Sequence, residues 1–343
     1  MVKDFNVRFW TGTCAAAVIC FGTVAAATVL MSGNNPPKPA FPLSANRCLS
    51  AYTFGHADHY AFRFGLFGVG DRIRNADVLI VGSSHATFGL SAERIAAALS
   101  ERWGRRVTAF NMSLGFGDGI GFAREILQKN KLQGKTLLLD LFSNDRGRPS
   151  EAALRVMQTD ILGAYVSVAA TVADFVRDWL IDGWLPRVYF GSRTVSLAAR
   201  AQQPASVSLS VERSLGVVVI RRCDNGDLEE IWFPEHGGVF RNTPAHLVSG
   251  LDADSQSKRP SPTLAPEYEA YLRSADFRVA LTLIPYDGYP VEEAKRAAEQ
   301  IGRPFIEVEP IGLQFWDLNH VIAESRDIAS QRVVERWSAA EGR

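Results

Sequence analysis

At 343 residues with 47% apolar composition the chain is long enough for one large globular domain or two modest ones, and too apolar for disorder. Lys plus Arg and Asp plus Glu are equal at 37 each, and no basic stripe interleaved with aromatic residues occurs, so nothing argues for nucleic acid. No internal repeat or low-complexity tract is present.

The amino end carries Lys3, Asp4 and Arg8, followed by Phe9 to Met31 without a charged residue. That run can span a bilayer, since about 20 apolar residues suffice. The preceding basic residues put residues 1–8 in the cytoplasm and the rest across the membrane, a single-pass anchor in the cytoplasmic membrane with a periplasmic or otherwise extracytoplasmic domain. A signal peptide cleaved near Ala25–Ala27 is the alternative, and it exports the domain equally. Residues 32–70 read as a linker and lead-in, with a proline-rich spacer at 34–42. His56, Asp58 and His59 could be imagined around a metal, yet without a third committed ligand they read as surface or packing residues. Of the four cysteines, Cys14 and Cys20 lie in the apolar run. Cys48 and Cys223 are read as free thiols, with a disulfide between them as the alternative in an oxidising compartment.

From residue 71 onward the pattern is α/β. Val78–Val81 is short and β-branched and stops at Gly82-Ser83-Ser84, after which Ile95, Ala96, Leu99 and Trp103 recur at helical spacing. Ser84 therefore falls at the carboxyl end of a parallel strand, where open α/β sheets bind ligands. On local grounds alone, Ser83 or Ser84 could equally cap a helix beginning near Ala86. A second strand at 106–113 runs into the glycine-rich stretch 115–121, and a helix over 122–131 follows. A third strand, 136–142, ends at Ser143-Asn144-Asp145. This alternation predicts a mostly parallel sheet. The segment from about 146 to 275 breaks the rhythm as an inserted α+β region: helices over 151–184, strands over 206–233 with a hairpin at Asp224-Asn225-Gly226, and a loop over 241–266. His236 and His246 read as loop residues. The α/β pattern resumes with a strand at 277–285, a helix at 291–301 and a strand at 304–308. Asp317 and His320 then stand three apart at the entrance of a last helix, spaced to face one way.

A Ser after the first strand, a Gly turn after the second, an Asn after the third and an Asp-x-x-His near the carboxyl end together resemble the SGNH/GDSL hydrolase superfamily. The matching residues are Ser84, Gly115 or Gly117, Asn144, and Asp317 with His320. Ser83 stands where the family has Asp, and Phe142 where Gly is common before the Asn. The resemblance covers 77–145 and about 277–337, and implies a flavodoxin-like three-layer sandwich.

It also implies a Ser84/His320/Asp317 triad with an oxyanion hole from the Asn144 amide and the backbone N–H groups of Ser84 and Gly115 or Gly117. A serine hydroxyl needs a base to take its proton, the base needs an orienting carboxylate, and the developing oxyanion needs donors fixed in advance. His85 is assigned to the pocket rim, pointing away from Ser84. The resemblance to membrane-anchored, envelope-facing members implies an acylated cell-surface polysaccharide as substrate, hydrolysis or acyl transfer as the reaction, a possible membrane-bound acyl-transfer partner, and no metal or organic cofactor. The alternatives are a non-catalytic glycan- or partner-binding component of a polysaccharide modification or export assembly, and a lipid esterase.

Overall fold

The computed structural model describes residues 47–50, 57–115, 118–142, 146–164, 166–167, 217–232, 262–286, 288–315 and 320–341. The expected anchor at 9–31, the tail and spacer around it, His56, the helices expected beyond 167, and His236 and His246 lie outside them. Among the described residues no helix is long and apolar enough to cross a membrane.

The central sheet contains β2 (Val78–Val81), β3 (Ala109–Asn111), β4 (Thr136–Asp140), β7 (Arg278–Leu283) and β8 (Phe305–Glu307). All pairings are parallel and the spatial order is β3-β2-β4-β7-β8. Renumbered within the sheet this is 2-1-3-4-5, the order of flavodoxin-like doubly wound folds, whose switch point lies between β2 and β4. The α/β class and parallel sheet are those expected from the sequence.

Why the strands read as unbroken apolar runs is clear from their burial. Every residue of β2 is buried, because helices cover both faces. The period of two then sorts side chains between two cores. Val78, Ile80, Leu138, Ala280 and Ile306 pack on one face with Ile95 and Leu99 of α4 (Ala92–Trp103) and Val333 and Trp337 of α9 (Ala323–Glu341). Leu79, Val81, Leu137, Leu139, Val279 and Leu281 pack on the other. There they meet α5 (Ile120–Lys129), α7 (Pro266–Ser274) and α8 (Val291–Ile301).

Two further helices belong to that second face: α1 (Ala57–Phe64) and α2 (Val69–Asn75). The sequence reading had this stretch as lead-in, but Phe62, Val69 and Ile73 are buried in the same cluster as Leu79 and Phe110. Gly65 and Gly68, both at positive φ, break the helical period between the two helices and hide it. Helix α7 was likewise unexpected at the end of a loop. Pro266 at its first turn with Glu267 and Glu269 is a start signal of the ordinary kind.

The insertion contributes β5 (Val217–Arg222) and β6 (Leu228–Trp232), an antiparallel hairpin turning at 223–227 as the Asp224-Asn225-Gly226 signal predicts. β1 (Arg47–Ser50) pairs with β5 and makes a separate three-stranded sheet. Cys223 is disulfide-bonded, which corrects the reading of free thiols. Cys48, at the irregularity of the β1–β5 register, is the cysteine that strand pairing brings to that end of β5.

The hairpin turn is bound into the α/β body. Buried Asp227 accepts from the backbone N–H groups of Ala92 (2.6 Å) and Glu93 (3.0 Å) and from the Ser91 hydroxyl (2.9 Å), capping α4 from a distant part of the chain. Those N–H groups would otherwise be orphaned in the first turn of a helix. Asn225 O accepts from Asn111 N at the end of β3 (2.7 Å), and Arg326 of α9 donates to Leu228 O (2.7 Å).

Candidate active site

At the carboxyl end of β2 the chain turns through Gly82 and Ser83 into the short helix α3 (Ser84–Gly89). Gly82 has no room for a side chain. A Cβ there would lie 2.6 Å from Ala86 Cβ and 2.8 Å from Asp140 Cβ, so only glycine lets the helix start this close to β4. The two serines divide the roles that the sequence left open. Ser83, fully buried and extended, is the N-cap: its Oγ accepts from His85 N–H (3.2 Å), and its carbonyl accepts from Thr87 N–H (3.0 Å) and the Thr87 hydroxyl (2.9 Å). Ser84 is the first helical residue, partly exposed, and its hydroxyl is free of capping duty.

That hydroxyl meets His320. Ser84 Oγ and His320 Nε2 are 3.0 Å apart, within hydrogen-bond reach, although 236 residues separate them in sequence. His320 lies three residues before α9, at the helix entrance expected from the sequence. Its neighbour Val321 bridges to Phe315, both buried, and Ile322 N–H donates to Gln314 O (3.0 Å). Edge contacts from Phe88 (5.2 Å between centroids) and His85 (5.4 Å) hold the imidazole from the sides.

His85 itself is a correction. It is 3% exposed, stacks on Phe142 at 3.8 Å and 11°, and meets the edge of Tyr286 at 4.8 Å. The ring belongs to the floor beneath the site, not the rim. Phe142, standing where glycine is common in the resembling family, is the face it packs on.

Gly115 is placed beside the nucleophile turn: Leu114 N–H donates to Gly82 O (3.1 Å), and Gly115 O accepts from Asp118 N–H (3.2 Å). Gly117, Asn144 and Asp317 lie outside the described residues. Ser84, His320 and Gly115 are thus brought to one edge, at the switch point of the sheet. Asp58 and His59 are buried, each against a polar side chain described below. Among the described residues no group of three or more His, Cys, Asp or Glu side chains could hold a metal ion.

Sequence reasoning missed Asp140, although a carboxylate inside Leu-Leu-Leu-Asp-Leu is a visible anomaly. It is fully buried at the end of β4, directly under the Gly82 turn, and Oδ1 accepts from Ile284 N–H (3.1 Å). Burial pushes its carboxyl from 3.8 up to about 7, against the opposite pull of the Ile284 and Phe142 N–H groups and the Ser83 hydroxyl. The folded state therefore holds a proton that the unfolded chain has released, and stability falls as pH rises from about 4 to about 7. At about 1.4 kcal/mol per unit the upper bound of that loss is about 4 kcal/mol. Asp140→Asn keeps an acceptor for Ile284 and cannot ionise. In thermal melts it is expected to match wild type near pH 3.5 and to exceed it near pH 8. An equal offset at both pH values would contradict the buried acid.

No family model, curated protein or solved structure matched the chain.

Proposed function

We propose that this chain is an exported, membrane-anchored serine esterase or O-acyltransferase of SGNH type, acting on acyl esters, most simply acetyl, of a cell-surface polysaccharide. The observation that carries the reading is the 3.0 Å Ser84–His320 contact at the carboxyl edge of the sheet. A serine freed from capping by its neighbour and set against an imidazole has the geometry of an activated nucleophile.

Ser84 Oγ attacks the ester carbonyl carbon while His320 Nε2 takes its proton. The tetrahedral intermediate collapses, the bond to the alcohol oxygen breaks, and His320 returns the proton to that oxygen. An acyl ester remains on Ser84. Water or a sugar hydroxyl then attacks this ester, with His320 again as base, releasing a carboxylic acid or a new ester and restoring the serine. Asp317 would hold the His320 tautomer, and the Asn144 amide with the backbone N–H groups of Ser84 and Gly115 or Gly117 would receive the oxyanion. A disulfide at Cys223 suits an oxidising compartment, in keeping with export behind an anchor at 9–31.

The test is acetate release from an O-acetylated polysaccharide by the full-length protein in detergent. The wild type should release acetate, or move it to an added unacetylated glycan, and Ser84→Ala should do neither. An inert wild type on both the polysaccharide and a small aryl acetate would count against the reading.

A further inference from the structure

After β3 the chain brings Gly115 beside the nucleophile turn, where its position rests on more than the local bonds from Ser113 N–H to Asn111 Oδ1 (3.0 Å) and from Asp118 N–H to Gly115 O (3.2 Å). On either side of Gly115 it is gripped by buried polar side chains from elsewhere in the chain. At the leading end, Arg221 of the inserted hairpin, 2% exposed, donates from Nη2 to Ser113 O (2.9 Å), and from Nη1 to Gly226 O (2.6 Å) and Asn111 O (3.4 Å). Its Nε donates to Asp58 Oδ2 of α1 at 2.6 Å, and its guanidinium lies over the Phe62 ring at 5.2 Å. At the trailing end, His59, also of α1, meets Asp118 Oδ2 at 2.7 Å, with both side chains buried. Asp118 further accepts from Ser150 N–H (2.6 Å) and the Ser150 hydroxyl (2.8 Å), at the start of α6 (Glu151–Gln158).

Between the two clamps, Leu114 N–H donates to Gly82 O, two residues before Ser84. A planar guanidinium with several donors fixes several carbonyls at once, which a point charge cannot do. Charges of this kind are costly to bury and contribute little net stability against an apolar alternative, so their use here calls for a geometric account.

Resting on the serine-ester reading above, we propose that Arg221 and His59 are positioning residues for acyl transfer: through Ser113 and Asp118, which flank it, they hold Gly115 at the distance from Ser84 that its backbone N–H needs. The inserted hairpin is then a working part of the site and not an accessory layer. Preorganised donors act on the transition state far more than on the bound substrate. Loosening the loop should therefore lower kcat and spare KM.

The experiment uses full-length protein in detergent with p-nitrophenyl acetate, comparing wild type with Arg221→Lys and His59→Gln. Arg221→Lys keeps the charge facing Asp58 but loses the fork. His59→Gln keeps a neutral donor for Asp118. Each is assayed well below its melting midpoint, and the affinity of a boronic acid that forms a tetrahedral adduct on serine is measured in parallel. The expected result is a kcat 10- to 100-fold lower in each variant, KM within about twofold, and boronate affinity falling by a factor similar to kcat.

A folded His59→Gln with wild-type kcat and boronate affinity overturns the proposal, and that variant suffices if Arg221→Lys does not fold. A lowered midpoint alone, with kcat unchanged, identifies the clamps as purely structural and also overturns it. A wild type inert in the assay refutes the underlying serine-ester reading instead, which keeps the two failures apart.

Discussion

Ser84→Ala is expected to lower kcat for p-nitrophenyl acetate by about 10⁴-fold or more, with the fold and melting midpoint intact. The side chain is partly exposed and makes no capping bond, so its hydroxyl contributes little to stability. Its chemistry is another matter, since without Oγ no acyl ester can form. His320→Ala should cost a comparable factor, because a serine hydroxyl near neutral pH is a weak nucleophile unless a base removes its proton in the transition state. The two losses should not add. Residues that act as a unit fail as a unit, and the double variant should be close to either single one. If the losses multiplied, the two groups would be acting independently, and the 3.0 Å contact would be incidental. Steady-state kinetics on the three variants, with circular dichroism to establish folding, decides between these.

Gly226→Ala should be among the most destabilising single methyl additions in the described chain. Gly226 has φ +77°, and a Cβ there would lie 2.1 Å from Asn111 O, the backbone of β3. A strand carbonyl cannot move aside as a flexible side chain can. The hairpin would have to lift, stretching the bonds from Asn111 N–H to Asn225 O (2.7 Å) and from Arg221 Nη1 to Gly226 O (2.6 Å). Left-handed backbone strain of about 1–2 kcal/mol and overpacking of about 1–3 kcal/mol together give about 2–5 kcal/mol. For a domain of this size that is on the order of 5–15 °C in melting midpoint. Gly302 is the internal control: φ is similar at +72°, and nothing lies within 4 Å of its Cβ position. Gly302→Ala should show the strain alone. Equal losses at the two glycines would mean that the hairpin does not press on β3.

The parallel sheet was legible in the sequence because its strands are buried on both faces and the first of them stops at the Gly82 turn. Ser84 was marked locally by a strand that stops at Gly82-Ser83-Ser84, but its pairing with His320 was legible only through the order of four short blocks. What stayed hidden has a common physical origin. Arg221 pairs with Asp58 across 163 positions and with Ser113 across 108. Asp227 likewise caps a helix 135 positions away. No periodicity links such partners. Left-handed glycines at 65 and 68 concealed α1 and α2, and the floor position of His85 depends on the ring of Phe142, a neighbour in space only.

The most direct measurement is the intact mass and peptide map of full-length protein treated with a fluorophosphonate. A single phosphonyl adduct on Ser84, absent in Ser84→Ala and formed far more slowly in His320→Ala, is the predicted result. Wild type unmodified at Ser84 after prolonged exposure, or modified equally fast with and without His320, would contradict an activated serine at this site.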